Sequence, residues 1–311
     1  MRKIEIIDVG PRDGLQNEKV LFSTQDKISL ISKLEAAGIK RYEATSFVHP
    51  KLVPQMADAE DVMAGLAPNP DVTRIGLALN VRGYARACDA GVDEVNGVLT
   101  ASDGFGVKNQ GADRNKQLDI LAEMAHAARA DGMPLTVTIS TAFGCPFDGD
   151  VPPADVARMA KAAAEMGIVE IAIADTIGAG TPWAVTEVIK AVRAVAPQAQ
   201  LRAHFHDTRN TGLANAYAAV EAGVDILDAS VGGMGGCPFA PAATGNIATE
   251  DLVHMLHRAG FETGLDLEAL IETAHWLKTP LGRPVPSKLS KAGVFSGQAR
   301  VAPKAAPQTA Q

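Results

Sequence analysis

Short apolar runs alternate with longer amphipathic segments along nearly all of the 311-residue chain. The short runs predict strands: IEIIDV (4–9), RYEATS (41–46), RIGLAL (74–79), EVNGVL (94–99), LTVTIS (135–140), EIAIAD (170–175), LRAHFH (201–206) and ILDASV (226–231). The segments between them, rich in Ala, Leu, Glu and Lys, predict helices at roughly 24–37, 56–66, 82–90, 116–131, 153–166, 182–195, 211–222 and 247–259. The stretch 153–166 carries a clear apolar stripe and stops at Gly167, as a helix with a glycine C-cap does.

Eight strands, each followed by a helix, imply a parallel sheet with helical crossovers. Such a sheet either stays open or closes on itself. Eight units favour closure, and no G-x-G-x-x-G follows the first strand as an open dinucleotide-binding sheet would want. The expected fold is therefore α/β, a (β/α)8 TIM barrel. It occupies residues 1–290, with a short C-terminal helical extension over 266–290. A flexible tail is expected at 291–311, ending in VAPKAAPQTAQ.

Composition narrows the function. With 47% hydrophobic and 21% charged residues, the chain is an ordinary globular protein with ample core. Its formal net charge of −7 and the lack of a dense Lys/Arg run argue against a nucleic-acid partner. No run of ~18 apolar residues suggests a membrane span. The opening MRKIEIIDVGPRDG turns acidic too early for a signal peptide. Cys88, Cys145 and Cys237 are odd in number and far apart, which fits a reduced, cytoplasmic setting better than a disulfide framework.

In a barrel, chemistry belongs at the carboxyl ends of the strands. The unusual polar residues collect there: Arg12, Asp13, Gln16, Asn17 and Lys19 after strand 1, Glu43 on strand 2, Asp175 ending strand 6, and His204 and His206 on strand 7. Cys237 and Asn246 follow strand 8. The two histidines of His204-Phe205-His206 share one strand face, about 6.6 Å apart along the chain. They are either two hydrogen-bonded core histidines or a pair converging on a cation, with Asp13 and Asn246 as oxygen donors. A nitrogen and oxygen set without thiolate suits Mg²⁺, Mn²⁺ or Co²⁺ and does not exclude Zn²⁺. Asp207 faces the opposite way and is read as structural.

Arg12 beside Asp13 is either a surface ion pair or a fixed charge for a developing oxyanion. Glu43 and Asp175 are either catalytic or there to orient neighbours. Cys88 and Cys145 read as inert buried thiols. Cys237, in a run with Gly232, Gly233, Gly235, Gly236 and Gly245, reads as an acid/base thiol on a lid-like loop. The glycines alone would also suit a phosphate.

VGPRDGLQNEK (9–19), EATSFVHPKLVPQMAD (43–58), ADTIGAGTP (174–182), HFHDT (204–208) and SVGGMGGCPFAPAATGNIATEDLV (230–253) resemble the 3-hydroxy-3-methylglutaryl-CoA lyase family, over almost the whole chain to about residue 290. The resemblance implies metal-dependent retro-aldol cleavage of a 3-hydroxyacyl-CoA into acetyl-CoA and a keto acid. The keto acid is acetoacetate, and the pathway leucine degradation, for the type substrate. It also implies Asp13, His204, His206 and Asn246 as ligands of Mg²⁺ or Mn²⁺. Arg12 then faces the enolate, Cys237 is the general acid/base, Glu43 and Asp175 support them, and His204 also lies near the proton path. Gln16, Asn17 and Lys19 match the motif near the CoA-bearing mouth. The expected partners are the acyl-CoA substrate and further copies of the chain, as a dimer or tetramer.

The chain departs from the family pattern at the mouth. Ser102-Asp103 and Asn109-Gln110-Gly111 replace Ser-Glu and Asn-Ile-Asn, and Arg209-Asn210-Thr211-Gly212 replaces Tyr-Gly-Gln-Ala. Thr138-Ile139-Ser140-Thr141 stands for Tyr-Val-Ser-Cys, and Ala242 for a glycine. These changes leave the acyl substituent open: citramalyl-CoA or a longer 3-substituted 3-hydroxyglutaryl-CoA is an alternative. Arg209 is either an extra cation for a carboxylate or drift at a solvated rim. A non-catalytic CoA-ester binding protein is the alternative from another class. An isopropylmalate- or homocitrate-type synthase lacks the G-G-C-P loop. A biotin-dependent carboxyl transferase would need a lysine that strand 6 does not offer.

Overall fold

The computed structural model describes residues 2–236 and 245–295. Eight parallel strands close in chain order into one barrel. They are β1 (Glu5–Asp8), β2 (Arg41–Ser46), β3 (Thr73–Leu77), β4 (Glu94–Thr100), β5 (Leu135–Ser140), β6 (Glu170–Asp175), β7 (Gln200–Phe205) and β8 (Ile226–Ala229). Ile7↔Arg41 on one side of β1 and Glu5↔Ile226 on the other complete the ring.

Around the barrel lie α1 (Thr24–Ala36), α2 (Ala59–Gly65), α3 (Val81–Asp89), α4 (Asp103–Gln110), α5 (Arg114–Asp131), α6 (Pro153–Glu165), α7 (Pro182–Val195), α8 (Gly212–Glu221) and α9 (Thr249–Arg258). The extension adds α10 (Leu267–Leu281) and α11 (Leu289–Ala292). Thus the helical extension runs two residues past the expected boundary at 290, and residues 296–311 of the expected tail lie outside the described residues. Local chemistry fixes the helix starts. Ser23, Asn80, Asp113 and Thr181 each accept a backbone N–H of the first turn, and Pro182 opens α7 with its φ already set.

The pattern of apolar positions does not forecast α4, whose sequence DGFGVKNQ holds two glycines and little helix propensity. Tertiary contact overrides propensity there. Phe105 is buried, and a Cβ on Gly106 would sit 2.2 Å from the Gln117 amide, so only glycine lets α4 lie against α5.

The strands turn alternate residues outward and inward. Outward Val95, Val137, Ile139, Ile171, Ile173 and Leu201 pack on Leu30 and Leu34 of α1, Leu121 of α5, Met159 of α6 and Val188 of α7 within one continuous core. Each such buried aliphatic contributes about 1.5–3 kcal/mol. The inward face is different. Ile7, Val9, Ile75 and Ile226 form a separate small cluster, and much of the remaining interior is polar or charged, including Glu43, Glu94, Asn96, Thr136, Glu170, Arg202 and Asp228. Branched apolar side chains usually fill that space. Here Arg41 pairs with Glu94 at 2.8 Å and Glu170 at 2.7 Å, and Thr136 donates to Glu94 at 2.8 Å. Among the described residues no helix is long and apolar enough to cross a membrane.

Candidate active site

After β1 the chain makes one wide turn, Gly10–Gly14, in which the Gly14 N–H reaches back to the Val9 carbonyl at 3.0 Å. This i→i+5 turn swings Arg12 and Asp13 over the end of the barrel; such turns recur at functional sites. Gly14 is required because a Cβ there would lie 2.6 Å from the Ser230 hydroxyl.

His204 and His206 reach the same rim at the end of β7. Their ring centroids are 5.1 Å apart, while Phe205 between them packs outward on Phe143. Asp13 Oδ2 lies 3.6 Å from His206 Nε2. Ligand atoms of Asp13, His204 and His206 all lie within 4.8 Å of one another. Asn246 bridges to His206 through its backbone and donates its Nδ2 to Asp13 Oδ2 at 2.8 Å. Two buried atoms of this group, His206 Nδ1 and Asn246 Oδ1, have no hydrogen-bond partner among the described residues. Buried polar atoms are rarely left so. The oxygen and nitrogen donors and the unfilled valences together fit a divalent cation.

Charge is arranged around this group in layers. Arg12 donates through Nη1 to Asp13 at 2.6 Å and through Nε to Glu43 at 2.7 Å, with Nη2 also on Glu43. Asn96 holds the other oxygen of Glu43 at 3.0 Å. Burial would raise the Asp13 carboxyl, but the charges and bonds of Arg12, His206 and His204 hold it well below the usual range. His204 Nδ1 lies 3.2 Å from Asp228 Oδ2. Burial would lower the His204 imidazolium, yet the Asp228 bond and the charges of Asp228, Asp13 and Glu43 raise it.

A cavity of about 210 Å³ opens above these groups. Gln16 and Asn17 stand at its edge, Leu52, Val53, Leu77, Val98 and Phe105 give it an apolar wall, and Glu43, Thr138 and Asp228 form its floor. A wall of this kind suits the apolar part of a small ligand, and the polar floor suits its polar groups.

Of the candidates from the sequence, Arg12, Asp13, Gln16, Asn17, Glu43, His204 and His206 all line this cavity, and Asn246 touches Asp13. Lys19 is exposed and away from the lining. Asp175 is buried and accepts the N–H groups of Ala179 and Gly180 at 2.8 and 2.9 Å, anchoring the loop after β6. Burial raises its carboxyl despite those two bonds. Cys237 and Ala242 lie outside the described residues. The neighbouring Gly236 lines the cavity, and its carbonyl accepts from Asn17 at 2.9 Å. Cys88 and Cys145 are free thiols. Asp207 accepts the Gly212 N–H at 2.9 Å, at the start of α8. Arg209 donates to the carbonyls of Ile177 and Gly178 at 2.7 and 3.0 Å, so its charge ties the loop after β6.

Asp228, Asn96 and Arg202 do not stand out in the sequence. Register is what singles out two of them: Asp228 pairs directly with His204 across β8 and β7, and Arg202 lies two residues before His204 on the same face.

The HMGL-like family model matches residues 3–277. Hydroxymethylglutaryl-CoA lyase YngG of Bacillus subtilis is 42% identical, covering 92% of this chain and 96% of its own. The (R)-citramalyl-CoA lyase of Chloroflexus aurantiacus is 43% identical, covering 94% and 96%. An HMG-CoA lyase from Acinetobacter baumannii, solved with coenzyme A and 3-methylmalate, superposes with a TM-score of 0.91 at 38% identity, covering 96% and 98%.

Proposed function

The chain belongs to the HMGL-like family and is a carbon–carbon lyase, and from that premise we propose that it cleaves 3-hydroxy-3-methylglutaryl-CoA into acetyl-CoA and acetoacetate. The observation that carries this reading is the meeting of Asp13, His204 and His206 beside Arg12, contributed by two separate strand ends. Asp13, His204, His206 and Asn246 would hold Mg²⁺ or Mn²⁺. When bound, such a cation supplies Lewis acidity that lowers the pKa of the substrate hydroxyl.

The chain's own groups do the rest. Arg12, held between Asp13 and Glu43, keeps a guanidinium turned to the cavity, where it stabilises the negative charge gathering on the thioester oxygen as the carbon–carbon bond breaks. That electron pair ends on the acetyl carbon, to which Cys237 delivers a proton. His204, oriented through Nδ1 by Asp228, lies near the path of the hydroxyl proton. Glu43 fixes Arg12, and Asp175 fixes the loop after β6. Gln16 and Asn17, with Lys19 beyond them, meet the CoA moiety at the mouth.

A second reading keeps the chemistry and changes the acyl group to citramalyl or a longer 3-substituted 3-hydroxyglutaryl. It is favoured by the citramalyl-CoA lyase being as similar as the hydroxymethylglutaryl-CoA lyases, and by the small Thr138 in the cavity floor. Assaying a panel of these CoA esters with Mg²⁺ or Mn²⁺, and measuring acetyl-CoA together with the keto product, separates the two. Acetoacetate formed from the methylglutaryl ester at the highest kcat/KM supports the first and places the enzyme in leucine breakdown. Ester binding without acetyl-CoA release from any of them overturns both. A cytosolic location and assembly as a dimer or tetramer belong to the same proposal; the free thiols Cys88 and Cys145 support the location.

A further inference from the structure

Arg202 takes no part in the chemistry above, yet it is fully buried inside the barrel. Its guanidinium fans out to three strands. Nε lies 3.5 Å from Asp228 on β8, Nη1 3.7 Å from Glu170 on β6, and Nη2 3.8 Å from Glu43 on β2. Among the described residues only the Thr138 hydroxyl on β5 accepts a direct bond, from Nη2 at 3.2 Å. Nε and Nη1 have no hydrogen-bond partner, and neither has Asp228 Oδ1. A buried charge held at these distances is poor value for stability, because apolar side chains fill a barrel at less cost. What distinguishes Arg202 is the company it keeps. Asp228 turns its other oxygen to His204, and Glu43 turns its other oxygen to Arg12.

We infer that Arg202 is a positioning residue, which holds Asp228 and Glu43 from beneath and through them sets how His204 and Arg12 face the cavity. This rests on the proposal that His204 is a ligand of a divalent cation. The inference has a sign that simple electrostatics does not share. Removing a positive charge near a cation site should tighten cation binding, whereas loss of orientation loosens it.

The experiment titrates the intact protein with Mn²⁺ alone, reading free Mn²⁺ by electron paramagnetic resonance, and follows thermal unfolding in parallel. Arg202→Lys keeps the charge but has no planar fork to span three strands. Its Mn²⁺ affinity is expected to fall about tenfold, the usual scale for a partner of a metal ligand, while the protein stays folded. Thr138→Val removes that direct bond, together with the contact of the same hydroxyl to Asn96 beside Glu43, without changing any charge, and is expected to weaken Mn²⁺ binding in the same direction by less. Arg202→Lys binding Mn²⁺ as tightly as the wild type, or more tightly, overturns the inference; if that variant does not fold, Thr138→Val decides by the same criterion. His206→Ala tests the underlying reading separately. If it binds Mn²⁺ like the wild type, the metal site itself is misassigned, whatever Arg202 does.

Discussion

Two ionic clusters share the interior of this barrel, and they differ in how completely they are satisfied. At the amino-terminal end of the strands, Arg41 donates to both Glu94 and Glu170, and none of these three side chains has a buried nitrogen or oxygen without a partner. At the carboxyl end, Arg12, Asp13, Glu43, His204, His206 and Asn246 are just as close together, but His206 Nδ1 and Asn246 Oδ1 are orphaned. Between the two sits Arg202, with two unmatched donors. The same residue types therefore build a closed scaffold at one end and an open valence at the other. Charge density alone does not mark the reactive end. What marks it is bonding capacity left for something that is not protein.

That contrast breaks most directly by removing an arginine from each end. Arg12→Ala is expected to lower kcat by about 10²–10⁴, read as acetyl-CoA released under saturating Mg²⁺. Cys237→Ser should fall on the same scale, as loss of an acid/base group does. Normal turnover in both variants would mean that the open cluster is not the reactive one. Arg41→Met should do the opposite. Losing it strands two buried carboxylates, which costs about 3–5 kcal/mol of stability in denaturant unfolding, while turnover per folded molecule stays near that of the wild type. A catalytic loss in Arg41→Met that exceeds its loss of stability would erase the distinction between the clusters.

The barrel was legible in the chain because eight apolar runs alternate with eight amphipathic segments, and the strand limits shift by only a residue or two at most ends. The grouping of Asp13, His204 and His206 was legible for a related reason: once the fold is a barrel, strand ends meet at one rim whatever their separation in sequence. Three things were hidden. Helix α4 exists because Phe105 is buried beside the cavity and Gly106 lies against Gln117 of α5, which local propensity cannot report. Asp228 reads as an ordinary polar residue in ILDASV until register sets it against His204. Arg209 reads as a rim charge until its bonds to the carbonyls of Ile177 and Gly178 appear. Strand pairing decides the first of these two and a contact between neighbouring loops the second; periodicity along one segment reports neither.

The smallest effect comes from a buried carboxylate that, unlike those of either cluster, faces no cation. Glu250 on α9 accepts the Gly232 N–H at 3.0 Å, bracing the turn from which the chain runs to Gly236 at the cavity. Burial pushes its carboxyl from an ordinary 4.5 up to about 7. The folded protein therefore holds a proton there that the unfolded chain releases, between about pH 4.5 and 7. Its stabilising contribution is complete below pH 4.5 and is lost as pH rises through 7. His204, also raised, adds a decline of the same sign above 6.5, so wild-type unfolding alone does not isolate Glu250. Asp13, held low, acts only in acid below its ordinary 3.8 and leaves this window flat. Glu250→Gln keeps a carbonyl oxygen for Gly232 and cannot ionise. Its stability relative to the wild type should therefore rise from pH 4.5 to 7, by at most about 3 kcal/mol at about 1.4 kcal/mol per pKa unit. Denaturant midpoints of both proteins across that range measure the difference. A flat difference would mean that hydrogen bonds from Ser287 and from backbone N–H groups such as Gly232 keep Glu250 ionised throughout, and that neutral donors offset burial as well as the arginines do in the two clusters.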